Sequence, residues 1–174
     1  MLGEKVSVRK MNNRVVVTNR PQRKLGPPSE KQEAVQDKFL EATQYAREQT
    51  ADAESRAVYA RGITIKKRTA FAVALSDYLN APKVNAIKAS DYKGAVGDVI
   101  KIHAKDDFKV TRVKVIILDS AGQKLEQGEA IQDVKHKPIW KYIATVTNPN
   151  VTGSKISATA FDMPDNETTL EVVL

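Results

Sequence analysis

The hydrophobic period of this sequence changes at Pro82, and that change constrains the fold more than any other feature. Between Ser29 and Pro82 the apolar residues recur every three or four positions, as they do on one face of an α-helix. After Pro82 they alternate with polar residues, as they do in a β-strand with one buried face. The sequence therefore predicts an α+β fold in which a helical segment precedes β-structure.

Roughly three helices are predicted before this boundary. Ser29 and Gln32 form a capping box for the first helix, which we expect over about residues 30–49. A second, short helix follows the cap residue Asp52, and a third spans about residues 67–79. The first helix carries one apolar stripe, formed by Val35, Phe39, Ala42 and Ala46.

About seven short strands are predicted between residues 84 and 174. Turn signals rich in Gly, Pro, Asn and Asp separate the alternating runs, which is typical of an antiparallel β-sandwich. The apolar members of these runs include Ile100, Ile102, Val113, Val115, Ile117, Trp140, Tyr142, Ile156, Ala158 and Ala160. We expect Trp140 and Tyr142 to lie in the core of the sandwich rather than to form a stacking platform.

The first residues predict a hairpin. Two valine-rich runs flank Asn12-Asn13, and asparagine tolerates the positive φ angles of a tight turn. An isolated hairpin is only marginally stable in water, so it should pack on the body, on another subunit or on a partner. The predicted organisation is a basic hairpin arm with its linker over residues 1–28, a helical segment over 29–82 and the sandwich over 83–174.

The positive charge of the chain is concentrated in its N-terminal part. The net charge is +7, and residues 1–31 contain eight basic and two acidic residues. Such a segment favours contact with phosphate or with an acidic protein, although solvated charge explains it equally well. The candidate residues for binding nucleic acid or an acidic partner are Arg9, Lys10, Arg14, Arg20, Arg23, Lys24, Lys66, Lys67 and Arg68.

The residues around these basic side chains limit how they could bind nucleic acid. No aromatic residue interleaves with them, so stacking on a single strand is not expected. No helix-turn-helix or zinc-finger spacing is present to read bases. The sequence therefore predicts phosphate contacts without sequence preference, which weaken with salt.

Asp106 and Asp107 are adjacent acids at the end of a predicted strand. We interpret them as the polar end of that strand, with a cation site and a catalytic pair as the less favoured alternatives. A cation would need further oxygen ligands, and the turn at Asp162, Asp165, Asn166 and Glu167 offers some if it lies at the same end of the sandwich.

Other reactive groups form no recognisable site. The two histidines, His103 and His136, fall on different elements, and the chain has no cysteine. Motifs for hydrolases, phosphate-binding loops and zinc peptidases are absent. We therefore predict no catalytic residue, no metal ligand and no cofactor.

The sequence also indicates a cytoplasmic protein. Its first residues lack the apolar run of a secretory signal, and no apolar run approaches the length that spans a bilayer. We expect no membrane association.

The C-terminal half contains, in this order, the segments GAVGDVIKIHAKDDFKVTRVKVIILDSAGQKL, WKYIATV and KISATAFDMPDNETTLEVVL. Through these segments it resembles a bacterial immunoglobulin-like domain. In the closing turn, Asp165 stands where the family prefers glycine. The whole chain also resembles a group of small uncharacterised proteins of Bacteroidota-type bacteria. The resemblance implies an Ig-like β-sandwich that binds, displays or spaces without catalysis, as in the decoration of phage virions.

These observations favour a non-enzymatic structural or interaction protein that docks an Ig-like domain onto a larger assembly, such as a phage virion or further copies of itself. The alternative is an architectural, sequence-nonspecific nucleic-acid-binding protein that uses the basic N-terminal arm. The expected partners are accordingly a protein assembly or, in the alternative, nucleic acid.

Overall fold

The computed structural model describes residues 6–11, 14–19 and 27–174. The chain divides into two compact units, residues 1–35 and residues 36–174. Strands β1 (Val6–Met11) and β2 (Arg14–Asn19) belong to the first unit. They pair antiparallel, with Val8 opposite Val17 and Lys10 opposite Val15. This confirms the predicted hairpin, whose turn at residues 12–13 lies outside the described residues.

Three helices follow, as predicted: α1 (Glu30–Ala51), α2 (Ala53–Ala60) and α3 (Ala70–Leu79). The Gln32 side chain reaches back to the backbone N–H of Ser29, which donates to its Oε1 at 3.0 Å. This is one arm of the predicted capping box. The carboxylate of Asp52 caps α2 by accepting from the N–H of Ser55 at 2.7 Å.

Helix α3 begins three residues later than the sequence predicts. Thr69 is extended and its hydroxyl accepts from the N–H of Ala72, so Thr69 is the cap of the helix. The preceding residues form a turn, in which the N–H of Lys67 donates to the hydroxyl of Thr64. Lysine and arginine are good helix formers, and the prediction over 67–69 failed because these local side-chain hydrogen bonds competed with the helix.

Seven antiparallel strands form the C-terminal part, in agreement with the predicted number. Their order in the sheet is β3-β4-β7-β6-β5-β8-β9. The strands are β3 (Lys83–Lys88), β4 (Val99–Lys105), β5 (Arg112–Leu118), β6 (Lys124–Gln132), β7 (Ile139–Ile143), β8 (Lys155–Phe161) and β9 (Glu167–Val173). The two ends of this order, β3 and β9, come into contact, so the sheet nearly closes on itself.

The sheet has two parts joined by β6. Along most of its length β6 pairs with β5, but its end pairs with β7 through Ile131 and Gln132. Strands β3, β4 and β7 therefore lie on one side, and β6, β5, β8 and β9 on the other. The arrangement is sandwich-like, and the α+β prediction is confirmed.

The core of the sheet lies where the alternation placed it. On β5 the residues Val113, Val115 and Ile117 are fully buried, and Trp140 and Tyr142 are buried on β7. This confirms the prediction that the two aromatic side chains belong to the core. The seven-strand core is built from the apolar residues of alternating strand positions, as expected for a sheet with one inward face.

A second, smaller core joins the helices to the sheet. Ala46, Tyr59, Val73 and Ala74 are buried together, and Phe108 from the loop after β4 packs against them. The rings of Tyr59 and Phe108 stack with their centroids 4.9 Å apart. A Cβ on Gly62 would lie 2.7 Å from the Phe108 ring, so this position requires glycine for close approach.

Candidate functional site

The described basic residues of the arm are exposed on the hairpin. Arg9 and Arg14 lie on the same face of β1 and β2, because Arg14 lies opposite Met11 and Met11 is two residues from Arg9. Lys10 lies on the other face, opposite Val15. The remaining candidates of the arm, Arg20, Arg23 and Lys24, lie outside the described residues, so the full extent of a basic surface stays a prediction.

The face that carries Lys10 has three exposed valines at its centre, and Val6 and Asn19 at the end away from the turn. Val8, Val15 and Val17 share it, and their side chains are 62%, 66% and 60% exposed. Cross-strand valine pairs stabilise a hairpin only weakly, and the larger gain comes from covering them. This valine face therefore remains available for contact with another molecule.

Helix α1 shows a second uncovered apolar surface. Its predicted stripe is real, but only the C-terminal half of the stripe, Ala42 and Ala46, is buried. In the N-terminal half Val35 and Phe39 are 69% and 52% exposed. Leu40, beside the stripe, is 68% exposed. Exposed large apolar residues that lie close together on a helix are typical of an interaction surface.

The third group of candidate bases lies between α2 and α3. Lys66 and Arg68 are exposed, whereas Lys67 is half-buried. The Lys67 ammonium donates to the carboxylate of Asp107 at 2.5 Å. Lys67 therefore has an intramolecular partner, which the sequence did not indicate.

Asp106 and Asp107 follow directly after β4, where the sequence places the polar end of a strand. Asp106 Oδ2 accepts from the backbone N–H groups of Phe108 and Lys109 at 2.9 and 3.0 Å. Asp107 Oδ2 accepts from Lys67 and from the Ser76 hydroxyl at 2.8 Å. The two acids thus order the turn after β4 and connect it to α3.

A third acid, Asp77 of α3, completes an acidic cluster with this pair. Asp77 is fully buried, and one oxygen from each of Asp77, Asp106 and Asp107 lies within 4.8 Å of the other two. The Tyr59 hydroxyl donates to Asp77 Oδ2 at 2.9 Å. Asp77 Oδ1 and Asp106 Oδ1 are both buried, and no described residue donates a hydrogen bond to either oxygen. We call these three residues the acidic cluster.

The turn after β8 supports the acidic cluster from the other side. Buried Asp162 accepts from the backbone N–H and the side-chain amide of Asn166 at 2.7 and 2.8 Å. The same amide of Asn166 also donates to the backbone carbonyls of Asp77 and Tyr78 at 3.2 Å. Asn166 thereby satisfies carbonyls in the last turn of α3, which have no partner within the helix. The turns after β4 and β8 therefore both contact α3.

The electrostatics of Asp77 are unfavourable for an ionised carboxylate. Burial, together with the charges of Asp106 and Asp162, raises the pKa of Asp77 to about 8, against the hydrogen bond from Tyr59. Burial likewise raises the pKa of Asp162. Asp77 also lies in the last turn of α3, where the helix dipole disfavours negative charge.

The neighbouring tyrosines are held in their neutral form. The hydroxyls of Tyr45 and Tyr59 are 2.7 Å apart, and that of Tyr59 contacts Asp77. Burial raises the pKa of both hydroxyls, and the negative charge of Asp77 adds to the effect. They act as hydrogen-bond donors and not as bases.

The sequence missed Asp77, although one signal was present. Asp77 lies three and four residues after Ala74 and Val73, which places it on the buried face of α3. A charged residue at a core position needs a partner in the fold. Its hydrogen-bond partner Tyr59 lies 18 residues earlier, and the acids Asp106 and Asp107 lie beyond β3 and β4. Those separations along the chain kept the cluster from being recognised.

The histidines join no cluster of metal ligands within the described residues. His103 Nδ1 lies 3.1 Å from the side-chain amide of Asn85, and His136 is mostly exposed beside Asp133.

Comparisons of this chain with protein-family models, with curated proteins and with solved structures gave no match. Among the described residues, no helix has both the length and the apolar character that crossing a bilayer requires.

Proposed function

We propose that this protein is a non-enzymatic structural protein that joins an Ig-like β-sandwich to an assembly made of further copies of the same chain. The observation that carries the proposal is the uncovered valine face of the hairpin. A two-stranded hairpin does not hold its structure alone, so three valines exposed by 60% or more indicate a missing partner.

The exposed half of α1 is the surface that suits this hairpin. Residues 6–19 contain three basic residues and no acid, whereas residues 30–41 of α1 contain four acids and two bases. Both surfaces combine exposed apolar side chains with charge, and their charges are opposite. Complementary potentials of this kind steer partners together and fix their orientation.

Two different, complementary surfaces on one chain produce a head-to-tail contact. The hairpin of one copy would bind α1 of the next copy, and this repeats until a ring closes or a filament grows. These two surfaces support self-association as the mode of assembly. A place in a phage virion and a cytoplasmic location stay predictions.

The test is the mass of the full chain in solution, measured by sedimentation velocity over a range of concentrations. We expect concentration-dependent oligomers. The double variants Val8→Ser/Val17→Ser and Phe39→Ser/Leu40→Ser should each weaken association by about tenfold or more, since apolar burial contributes about 25 cal/mol per Å². The control is Val134→Ser, because Val134 is 95% exposed and lies outside both surfaces.

Mixing the two double variants tests the head-to-tail geometry. Each retains the surface that the other has lost, so the mixture should form a heterodimer although each variant alone is monomeric. The proposal is wrong if the wild-type chain stays monomeric at about 0.2 mM, a concentration above the dissociation constants of most specific assemblies. It is also wrong if the control loses as much association as the variants.

The same experiment decides the nucleic-acid alternative. If the wild-type chain is monomeric, its binding to a DNA duplex is measured at low salt. Binding that is lost when Arg9, Lys10 and Arg14 are changed to alanine would support phosphate binding by the arm instead of self-assembly. Such binding should fall steeply as salt rises.

A further inference from the structure

The acidic cluster contains two buried oxygens that accept no hydrogen bond from any described residue. Asp77 Oδ1 and Asp106 Oδ1 are both shielded from solvent. A buried carboxylate oxygen without a partner costs stability, and such oxygens are normally satisfied by a donor or by a cation. Asp77 is the stronger case, because its side chain is fully buried while its other oxygen already accepts from Tyr59.

We propose that Asp77, Asp106 and Asp107 bind one divalent cation of the hard, oxygen-preferring class, with Ca²⁺ as the best fit. The three oxygens lie within 4.8 Å of one another. Calcium–oxygen distances are about 2.3–2.6 Å, so two ligands on opposite sides of one Ca²⁺ lie about 4.6–5.2 Å apart. The cluster therefore has the dimensions of a single coordination sphere.

The charge of the site also suits a divalent ion. Three carboxylates together with the ammonium of Lys67, which pairs with Asp107, leave a net charge of −2 when all three acids are ionised. Asp162 adds a nearby negative charge, and the C-terminal end of α3 adds a partial one. A bound cation would neutralise these charges and would displace any proton held between Asp77 and Asp106.

Solvent reaches the site from one side. A surface hollow of about 360 Å³ is lined by Asn80, Ala81, Lys83, Lys105, Asp106 and Asp107. Water can complete the coordination sphere there, since Ca²⁺ takes six to eight oxygens. Lys83 and Lys105 are exposed at this hollow and oppose a cation, so we expect a dissociation constant of about 0.1–1 mM, in the range of extracellular calcium modules.

The inference does not depend on the proposed self-assembly, and its test is separate. The full chain is freed of metal with EDTA, dialysed at pH 8 and titrated with CaCl₂ or MgCl₂ while its Tm and the heat of binding are measured. At a Ca²⁺ concentration ten times the dissociation constant, we expect Tm to rise by about 3–6 °C. Calorimetry should give one ion per chain, with weaker binding of Mg²⁺.

Two variants and a control assign the site. Asp107→Asn alters an exposed side chain and should fold normally, and Asp77→Asn removes the buried ligand. Both should lose the Tm shift and the heat of binding. Glu129→Gln, an exposed acid on β6, should retain both.

Several results would overturn the cation site. They are the absence of binding at 10 mM Ca²⁺ and Mg²⁺, about tenfold above the expected constant, an unchanged Tm shift in Asp107→Asn, or several weak ions per chain. If Asp77→Asn does not fold, the calorimetry of Asp107→Asn decides the question.

Discussion

The sheet and helix α1 both carry regular apolar stripes, yet the fold covers them differently. In the sheet the alternating residues of β4, β5 and β8 are buried almost completely. In α1 the stripe is buried at Ala42 and Ala46 but exposed at Val35 and Phe39. The periodicity is the same along the helix, so the difference lies in what the rest of the chain places against it. A hydrophobic pattern shows which face is apolar and does not show whether the same chain covers it.

The largest test of this comparison is a truncation inside the sheet. Ile102 on β4 is fully buried. Ile102→Ala should lower the free energy of unfolding by about 2–5 kcal/mol, because it removes buried methylene groups and leaves a cavity. Urea denaturation of the monomeric fraction measures this. A loss below about 0.5 kcal/mol, the range of ordinary surface substitutions, would mean that the sheet is not the stabilising core.

The second-largest effect on stability is expected at the buried acid Asp77. In a metal-free buffer with chelator, Asp77→Asn should stabilise the chain by about 1–3 kcal/mol at pH 8. The amide keeps the acceptor for Tyr59 and provides a donor toward Asp106 without a charge. The stabilisation should be small near pH 4 and should grow as pH rises.

The sign follows from linkage. The pKa of Asp77 is raised to about 8 in the folded state, so the native chain binds more protons than the unfolded chain between about pH 4 and 8. Wild-type stability therefore falls with rising pH in this window, and Asp77→Asn removes that slope. The exposed residue Asp165 is the matched control, and Asp165→Asn should leave the slope unchanged. An unaltered slope in Asp77→Asn would contradict the assignment.

An acid on the surface of the sheet should show the opposite and smaller dependence. Asp133 pairs with Lys141 at 2.6 Å and accepts from two backbone N–H groups, which hold its pKa well below the usual range. Its contribution is present above the unfolded pKa of about 4 and is lost as pH falls below it. The loss is complete only below the depressed folded pKa, so Asp133→Asn should lower Tm at pH 7 and lower it less near pH 2. Equal shifts at the two pH values would refute this.

The smallest expected effect on stability comes from the uncovered half of α1. Phe39→Ala should change the free energy of unfolding of the monomer by no more than about 0.5 kcal/mol, because Phe39 is 52% exposed and belongs to neither core of the described residues. Association should nevertheless weaken, as in the double variant. A stability loss comparable to that of Ile102→Ala would show that Phe39 is covered within the chain and would remove the contrast between the two regions.

Much of the fold was predictable from local patterns. The hairpin, the three helices and the seven strands follow from residue periods of two and 3.6 and from residues such as Asp52 that cap or turn the chain. The start of α3 was missed because the turn before it is made by the Thr64 side chain, whose partner cannot be chosen from propensity. The division at residues 82–83 and the Ig-like character of the sheet stay predictions.

The candidate sites were less predictable. The basic residues Arg9, Lys10 and Arg14 can be identified from the sequence alone. The exposure of the valine face depends on what the tertiary structure leaves uncovered. Asp106 and Asp107 were predicted to form the polar end of a strand, and they do order the turn after β4. Their proximity to Asp77 required the close packing of helix and sheet.

The sequence by itself determined which residues form each helix and strand and which face of each is apolar, because these properties depend on neighbours a few positions away. The tertiary structure decided which apolar faces are covered and which acids share one buried space. Those outcomes depend on contacts between residues distant in the chain, where burial changes the energy of a charge far more than any local pattern does.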